Sequence, residues 1–228
     1  QKKGLFQWLS KTKADLICLQ EVRATEEQID TNEFRLKNYT RYLSEATKKG
    51  YSGVCIYTKD KPSKISKTFG SKFFSDEGRF IEIELQNIRI ISVYFPSGSS
   101  GEERQEIKYK FMNKFEQYMK KLIKDNKPTI ISGDWNIVHK EIDIKNWKSN
   151  QKNSGCLPKE RAWLDKVFNK YKFIDVFREI NHKPENYTWW SNRGKSWDNN
   201  VGWRIDYQVM SPNSKLKVKS AKIYKDKR

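Results

Sequence analysis

Short apolar runs, separated by polar and charged segments, dominate the hydrophobic pattern of this chain. The run over residues 14–19 predicts a buried strand that ends in Gln20 and Glu21. Five further runs rich in β-branched and aromatic residues predict strands over residues 53–59, 79–85, 88–95, 129–132 and 204–211. The two runs on either side of Gln86-Asn87 are typical of an antiparallel hairpin.

Helical periodicity is clearest between residues 102 and 124. Apolar side chains recur there at steps of four, four, three and four, at Ile107, Phe111, Phe115, Tyr118 and Leu122. This spacing predicts an amphipathic helix. Two more helices are predicted near residues 5–9, with Leu5, Trp8 and Leu9 on one face, and after Pro158, through Trp163, Leu164, Val167 and Phe168.

The mixture of hairpins, strands and a few helices indicates an α/β fold class. We expect two mixed β-sheets packed face to face with helices outside, which is a four-layered α/β sandwich. Hydrophobic residues make up 36% of the chain and aromatic residues 14%, enough to build a sizeable core. We therefore expect residues 1–228 to form a single domain.

Charge adds a prediction about partners. The 46 Lys and Arg residues against 28 Asp and Glu give a formal net charge of +18, which is typical of a polyanion-binding surface. The alternative is a lysine-rich surface that is only solvated, because the lysines are spread along the chain. No run approaches the roughly 18 apolar residues of a membrane span. The three distant cysteines fit neither a disulfide framework nor a zinc site, so we expect a cytoplasmic protein.

Several of the apolar strands carry a polar residue near one end. Glu21 closes the first strand, Tyr94 lies late in another, Asp134 and Asn136 follow a third, and Asp206 lies in the last. If the sheets align these strands, the carboxylates and the amide converge at one edge and offer the oxygen ligands that Mg²⁺ prefers. Taken singly, each residue is more often a cap, a turn residue, an ion-pair partner or a packing residue at a sheet edge than a functional group. The set is far more specific than any member.

This set resembles the exonuclease III and apurinic-apyrimidinic endonuclease family, within the wider DNase I-like phosphodiesterases. The matching segments span nearly the whole chain, at residues 14–21, 94–98, 133–143, 146–161 and 199–207. The resemblance implies a Mg²⁺-dependent DNA-repair nuclease, with Mn²⁺ as an alternative metal, that acts as a monomer. Its implied substrate is duplex DNA carrying abasic sites or blocked 3′-ends.

Residue by residue, the resemblance implies distinct roles. Glu21 would help to hold the metal, and Asp134 would activate or orient the attacking water. Asn136 and Tyr94 would bind the scissile phosphate. Asp206 would orient a histidine and fix its tautomer.

The resemblance also implies a substrate-binding surface. Aromatic positions at Trp189 and Trp203, with Ile205, would line a small pocket for an abasic sugar, although tryptophans in such loops are also typical core residues. Trp190 is better explained as core. Backbone phosphates would contact a polar basic loop that contains Asn146, Asn150, Lys152 and Asn153. Arg104, Lys108 and Lys110 at the start of the long helix are further candidates, although a solvated helix face explains them at least as well.

The chain departs from the family at both ends. The family's Asn-containing first strand would precede Gln1, and its Ser-Asp-His segment would follow Arg228. We expect a trimmed portion of a longer enzyme, because sheets that lack their terminal strands would expose apolar edges. For His139 and His182 we expect structural or surface roles.

Two other functions remain open. One is a phosphodiesterase of the same superfold that acts on a lipid headgroup or an inositol phosphate, since a shared fold does not determine the substrate. The Asn-rich loop and the segment at residues 202–207 count against it. The other is a nucleic-acid-binding module without catalysis. Acidic residues facing phosphate would not help such a module, which counts against this alternative.

Overall fold

The computed structural model describes residues 4–212 and 214–225, which form two compact units. Unit 1 holds the chain up to Tyr94, and unit 2 begins at Phe95. Both units combine strands with helices, so the predicted mixed α/β class is confirmed. The four-layered arrangement and the single domain stay predictions.

Unit 1 is built from six strands and three short helices. Its helices are α1 (Leu5–Leu9), α2 (Glu26–Ile29) and α3 (Lys72–Ser75), with a 3₁₀ turn at Asn32–Phe34. Its strands are β1 (Leu16–Gln20), β2 (Thr40–Ser44), β3 (Val54–Thr58), β4 (Lys64–Ser66), β5 (Phe80–Glu84) and β6 (Arg89–Tyr94).

The strands of unit 1 form two antiparallel groups. β3 lies between β1 and β2, while β5 pairs with β4 on one side and β6 on the other. The predicted hairpin between β5 and β6 is therefore confirmed. The two groups pack against each other, and the Gln20 side-chain amide donates to the Ser92 hydroxyl at 2.9 Å. Because β3 is central, all five of its residues are buried, which matches its continuous apolar sequence.

Unit 2 contains the long helix and the remaining strands. Its helices are α4 (Glu102–Asp125), α5 (Trp147–Asn150), α6 (Pro158–Asp165) and α7 (Val176–Ile180), with a 3₁₀ turn at Glu141–Asp143 and a π-helical turn at Lys166–Lys170. Its strands are β7 (Thr129–Asp134), β8 (Ile174–Asp175), β9 (Trp189–Trp190), β10 (Gly202–Trp203) and β11 (Asp206–Met210).

Helix α4 and the strand pair β7–β11 organise the core of unit 2. β11 lies between β7 and β8 in antiparallel register. The rings of Phe95 and Trp135 stack at 5.1 Å, and Phe111 and Phe115 of α4 pack against Phe95. This aromatic packing holds the residues that follow β7 against the helix.

Two details of the helices differ from the sequence prediction. The helix that begins at Pro158 is confirmed, but it ends at Asp165 and gives way to the π-helical turn that contains Val167 and Phe168. In α4 the buried stripe starts at Lys108, whereas Ile107 and Tyr118 are only half-buried. Within the described residues, no helix has the length and apolar character to cross a membrane.

Candidate active site and nucleic-acid interface

Two of the predicted site residues meet in unit 1. Glu21 follows β1 and adopts a left-handed backbone with φ 54°. The Tyr94 hydroxyl at the end of β6 donates to Glu21 Oε1 at 3.2 Å. The same carboxylate forms an ion pair with the Arg23 guanidinium and stays 41% exposed. The structure thus brings together the predicted metal ligand and one predicted phosphate-binding group.

A buried arginine fixes the orientation of Tyr94. The Arg79 guanidinium lies 4.9 Å from the centre of the Tyr94 ring and 5.4 Å from that of Tyr51. It also donates to the Tyr51 hydroxyl at 2.6 Å and to the Tyr94 carbonyl at 3.3 Å, and it pairs with Glu77. Cation–π and hydrogen-bond contacts on both tyrosines hold the phenol in place. Arg79 was not predicted as a site residue, because its only sequence signal is a charge at the start of an apolar strand.

The two other predicted carboxylates lie opposite each other in unit 2. Asp134 ends β7, Asp206 begins β11, and the two residues are direct partners in the antiparallel register. Directly opposed residues place their side chains on the same face of a sheet. Like charges opposite one another destabilise a sheet by a few tenths of a kcal/mol or more, which favours a functional reason for this pair.

Asp134 also shapes the turn that presents Asn136. Asp134 Oδ1 accepts the backbone N–H of Asn136 at 2.8 Å, and Asn136 adopts a left-handed backbone with φ 52°. The Asn136 side-chain amide donates to the Phe95 carbonyl at 3.0 Å and, less closely, to Asp134 Oδ2 at 3.3 Å. The Asp134 and Asn136 side chains therefore form one hydrogen-bonded unit.

The predicted pocket residues lie next to this turn. Trp189 and Trp203 are paired across β9 and β10, with ring centres 6.1 Å apart and nearly perpendicular. Trp189 is 45% exposed, whereas Ile205 is buried. Ile205 and Trp203 share one apolar cluster with Val138, Ile144, Trp147 and Cys156. Trp190 is buried against Trp197, as expected for a core residue.

The Asn-rich loop is held largely by its own amides. The Asn150 side-chain amide donates to the Asn146 carbonyl at 2.9 Å, and the Asn153 side-chain amide donates to Asn150 Oδ1 at 2.9 Å. Asn146 has a left-handed backbone with φ 58°, and its side chain is exposed together with Lys152. In this structure Asn150 and Asn153 shape the loop through these bonds, and Asn146, Lys152 and Asn153 are exposed to solvent.

The basic residues at the start of α4 divide into two kinds. Arg104 is half-buried and Lys110 is exposed, so both are accessible to DNA. Lys108, in contrast, is fully buried and forms an ion pair with Glu160. A phosphate-binding or solvated role for Lys108 is therefore wrong, because its ammonium group faces the interior of unit 2.

A second buried charge network joins the 3₁₀ turn at Glu141–Asp143 to the segment that follows β10. The Arg204 guanidinium donates to Asp143 Oδ1 at 2.7 Å and to Asp175 Oδ2 at 2.6 Å. Arg178 also donates to Asp143 Oδ1, at 2.7 and 2.9 Å. Burial alone would raise the pKa of Asp143, but the two arginines outweigh burial and lower it. Asp143 and Arg204 belong to segments that the sequence singled out, yet their pairing left no signal there.

Both histidines line a different cavity. A cavity of about 490 Å³ in unit 2 has His139 and His182 in its wall, together with Phe168 and Arg178. His139 lies 3.0 Å from Asp165, and burial lowers the pKa of the histidine. None of the predicted site residues lines this cavity. The structure thus places both histidines in the wall of this cavity, with His139 beside Asp165.

Comparison with known proteins decides the family. Residues 1–224 match the model of the endonuclease/exonuclease/phosphatase family. The chain belongs to this family. The resemblance stated from the sequence is confirmed, because relatives within the endonuclease/exonuclease/phosphatase family include exodeoxyribonucleases and apurinic-apyrimidinic endonucleases.

Two curated members of the family and one solved structure give the scale of the similarity. An exodeoxyribonuclease of Bacillus subtilis is 35% identical over 227 residues, covering 99% of this chain and 88% of its own. An apurinic or apyrimidinic site endonuclease of Dictyostelium discoideum is 35% identical over 212 residues, which are 92% of this chain and 58% of that protein. The structure of an AP endonuclease from Archaeoglobus fulgidus matches with a TM-score of 0.82 at 26% identity, covering 91% of this chain and 80% of that one.

Proposed function

We propose that this chain carries the catalytic residues of a metal-dependent DNA-repair nuclease, which hydrolyses phosphodiester bonds at abasic sites and 3′-ends of duplex DNA. The observation that carries the proposal is the Asp134–Asn136 unit, placed opposite Asp206 in the strand register. A general base joined to a phosphate-binding amide is what phosphodiester hydrolysis requires. Family membership and relatives named as nucleases support the same reaction.

The chemistry assigns a task to each group. The Asn136 amide can exchange its longer hydrogen bond, to Asp134 Oδ2 at 3.3 Å, for one to a phosphate oxygen, while its bond to the Phe95 carbonyl keeps the amide in place. Asp134 then takes a proton from the attacking water as the new phosphorus–oxygen bond forms. The 3′-oxygen leaves with the electron pair of the broken bond and takes up a proton from solvent. In unit 1, the Tyr94 hydroxyl, which now donates to Glu21, is assigned to phosphate binding. Asp206 is assigned to orienting a histidine.

The partly exposed Glu21 carboxylate suits a hard divalent cation. Glu21 offers a partly exposed carboxylate oxygen, and the described residues contain no group of three or more His, Cys, Asp or Glu side chains. Few protein ligands and several waters suit Mg²⁺ and also Mn²⁺, and argue against a closed zinc site. When bound, the metal would neutralise charge developing on the phosphate and the leaving oxygen.

The pocket supports selectivity for abasic sites. Trp203 and Ile205 form an apolar wall beside the exposed ring of Trp189, which suits a deoxyribose that lacks its base. Arg104, Lys152 and the Asn146 side chain are placed to contact backbone phosphates without reading sequence. We propose duplex DNA as the partner of this protein and the cytoplasm as its location.

Cleavage of a labelled duplex with one abasic-site analogue tests the proposal. With Mg²⁺ we expect incision that EDTA abolishes and that Asp134→Asn lowers by about 10²- to 10⁴-fold, the usual contribution of a general base. The matched control is Asp165→Asn, the same change at a partly exposed carboxylate of unit 2. Asp134→Asn should bind the duplex as well as or better than the parent chain, because a negative charge is lost.

The alternatives predict other outcomes. Equal turnover by the parent chain and Asp134→Asn would refute the assignment of the general base. Binding without incision by either protein would identify a nucleic-acid-binding module. Hydrolysis of an inositol phosphate in preference to the abasic duplex would identify a phosphodiesterase of another class.

A further inference from the structure

Lys108 is a charged side chain with no exposure to solvent. It lies in the buried stripe of α4, and its ammonium group donates to Glu160 Oε1 at 2.5 Å and to the backbone carbonyl of Asn136 at 2.8 Å. Burial lowers the pKa of Lys108, although Glu160 and Asp134 oppose that effect. A buried ion pair is poor evidence for stability, because apolar residues of similar size often serve as well. Its contacts therefore call for another explanation.

The Glu160 carboxylate connects Lys108 to the end of the Asn-rich loop. Its Oε2 accepts the backbone N–H groups of Gly155 at 2.7 Å and Leu157 at 2.9 Å. Its Oε1 accepts the Gln105 side-chain amide at 3.1 Å as well as the Lys108 ammonium. Four donors thus surround one buried carboxylate, and two of them belong to the backbone of the loop.

Asn136 and Gly155 are also in direct contact. Gly155 has φ 91°, and a Cβ atom placed there would lie 3.0 Å from the Asn136 carbonyl oxygen and 3.1 Å from the Trp203 ring. The Val138 N–H donates to the Gly155 carbonyl at 2.7 Å. The loop end is therefore packed against the turn after β7 and against the predicted pocket.

We propose that Lys108 and Glu160 are positioning residues, which lock the Asn136 turn and the end of the Asn-rich loop into one rigid assembly. The proposal rests on the proposed function, in which Asn136 binds the scissile phosphate. Asp134 holds the N–H of Asn136, and Lys108 holds its carbonyl, so the left-handed turn is fixed on both sides. Through Glu160 the same ammonium group sets where the loop meets the turn.

A double-mutant cycle separates positioning from simple stabilisation. Lys108→Met should lower kcat on the abasic duplex by about 10- to 100-fold, as expected when a reacting group shifts by about 1 Å, with a smaller change in KM. In an Asn136→Ala background the same change should have little further effect, because the group it positions is gone. Met119→Ala, at a fully buried position on the same helix, is the matched control and should lower stability without this coupling.

Amide hydrogen exchange gives a readout that does not depend on activity. Lys108→Met should speed exchange at Gly155 and Leu157, since Glu160 loses its counter-ion, whereas Met119→Ala should not do so selectively. If the parent chain cuts DNA and Lys108→Met costs the same factor with and without Asn136, the positioning role is overturned. Unchanged exchange at both amides also overturns it. If the parent chain fails to cut but exchange rises locally, the proposed function fails while the structural lock stands.

Discussion

At the scale of single residues, three predicted site residues are among the ten described non-glycine residues with a positive φ. Glu21, Asn136 and Asn146 all have φ between 52° and 58°. For a non-glycine residue the left-handed region costs on the order of 1 kcal/mol. Asparagine tolerates this conformation better than most residues, but glutamate does not share that advantage. The conformation at Glu21 is therefore better explained by the position of its carboxylate beside Tyr94 than by local preference.

Replacing Glu21 by glycine should therefore affect stability and activity in opposite directions. Glu21→Gly should leave the free energy of unfolding unchanged or raise it by up to about 1 kcal/mol, because glycine is unstrained at positive φ and exposed ion pairs contribute little. Metal-dependent incision should be lost. Glu27→Gly, in helix α2, is the control and should lower the free energy of unfolding by about 1 kcal/mol. Urea unfolding measures the free energy of unfolding of both variants. Equal destabilisation by Glu21→Gly and Glu27→Gly would contradict this prediction.

At the scale of elements, a buried charge network holds the segment that carries the predicted pocket residues Trp203 and Ile205. Asp143 lies in the 3₁₀ turn at Glu141–Asp143 and is nearly inaccessible to solvent, with Arg204 and Arg178 on the same carboxylate oxygen. Arg204 lies between Trp203 and Ile205 in the chain. The network thus ties strand β10 and the segment that follows it to the turn.

Removing the charge of Asp143 should be costly. Asp143→Asn should lower the free energy of unfolding at neutral pH by about 3–5 kcal/mol, because it removes the carboxylate that pairs with Arg178 and one of the two that neutralise buried Arg204. Asp165→Asn, at a half-exposed carboxylate, should cost less than about 1 kcal/mol. Because the pKa of Asp143 is lowered on folding, its contribution is complete above the ordinary aspartate pKa and is lost as pH falls through its folded value. Acid titration of stability should therefore be flatter in Asp143→Asn, and parallel curves would contradict this.

The strands of five or six residues and helix α4 could be predicted from the sequence because each has enough residues to show its hydrophobic pattern. The predictions of β1, β3, β5, β6, β7, β11 and α4 are confirmed, with bounds shifted by a few residues. β9 and β10 have two residues each, too few to show a period, and β2 is an edge strand with a polar start at Thr40. The π-helical turn at Lys166–Lys170 was missed because a wider turn keeps a similar apolar spacing.

The candidate site was only partly accessible to the same reasoning. Short-range motifs brought Asp134 and Asn136 together, but only the strand register places Asp206 opposite Asp134. Lys108 was taken as a surface residue because of its charge. Its position three and four residues before Phe111 and Met112 places it on the buried stripe, so helical spacing was the better guide.

At the scale of the whole molecule, the charge of +18 predicts strong dependence of DNA binding on salt. Each phosphate neutralised by a cationic side chain contributes about −0.9 to the slope of log K against log salt. Only cations at the interface count toward this slope. The distribution of lysines along the chain means that total charge does not identify them.

Two neutralising changes of equal charge distinguish interface from surface. Lys152→Gln, in the Asn-rich loop, should weaken binding of the abasic duplex and reduce the magnitude of the slope by about 0.9. Lys121→Gln is the control. Lys121 is exposed on α4, about 20 Å along the helix axis from Lys108, whose partner Glu160 holds the end of the Asn-rich loop. Fluorescence anisotropy in EDTA, over a range of NaCl concentrations, measures binding without incision. An equal loss of affinity in both variants would mean that DNA binding depends on net charge alone. The Asn-rich loop would then have no special role.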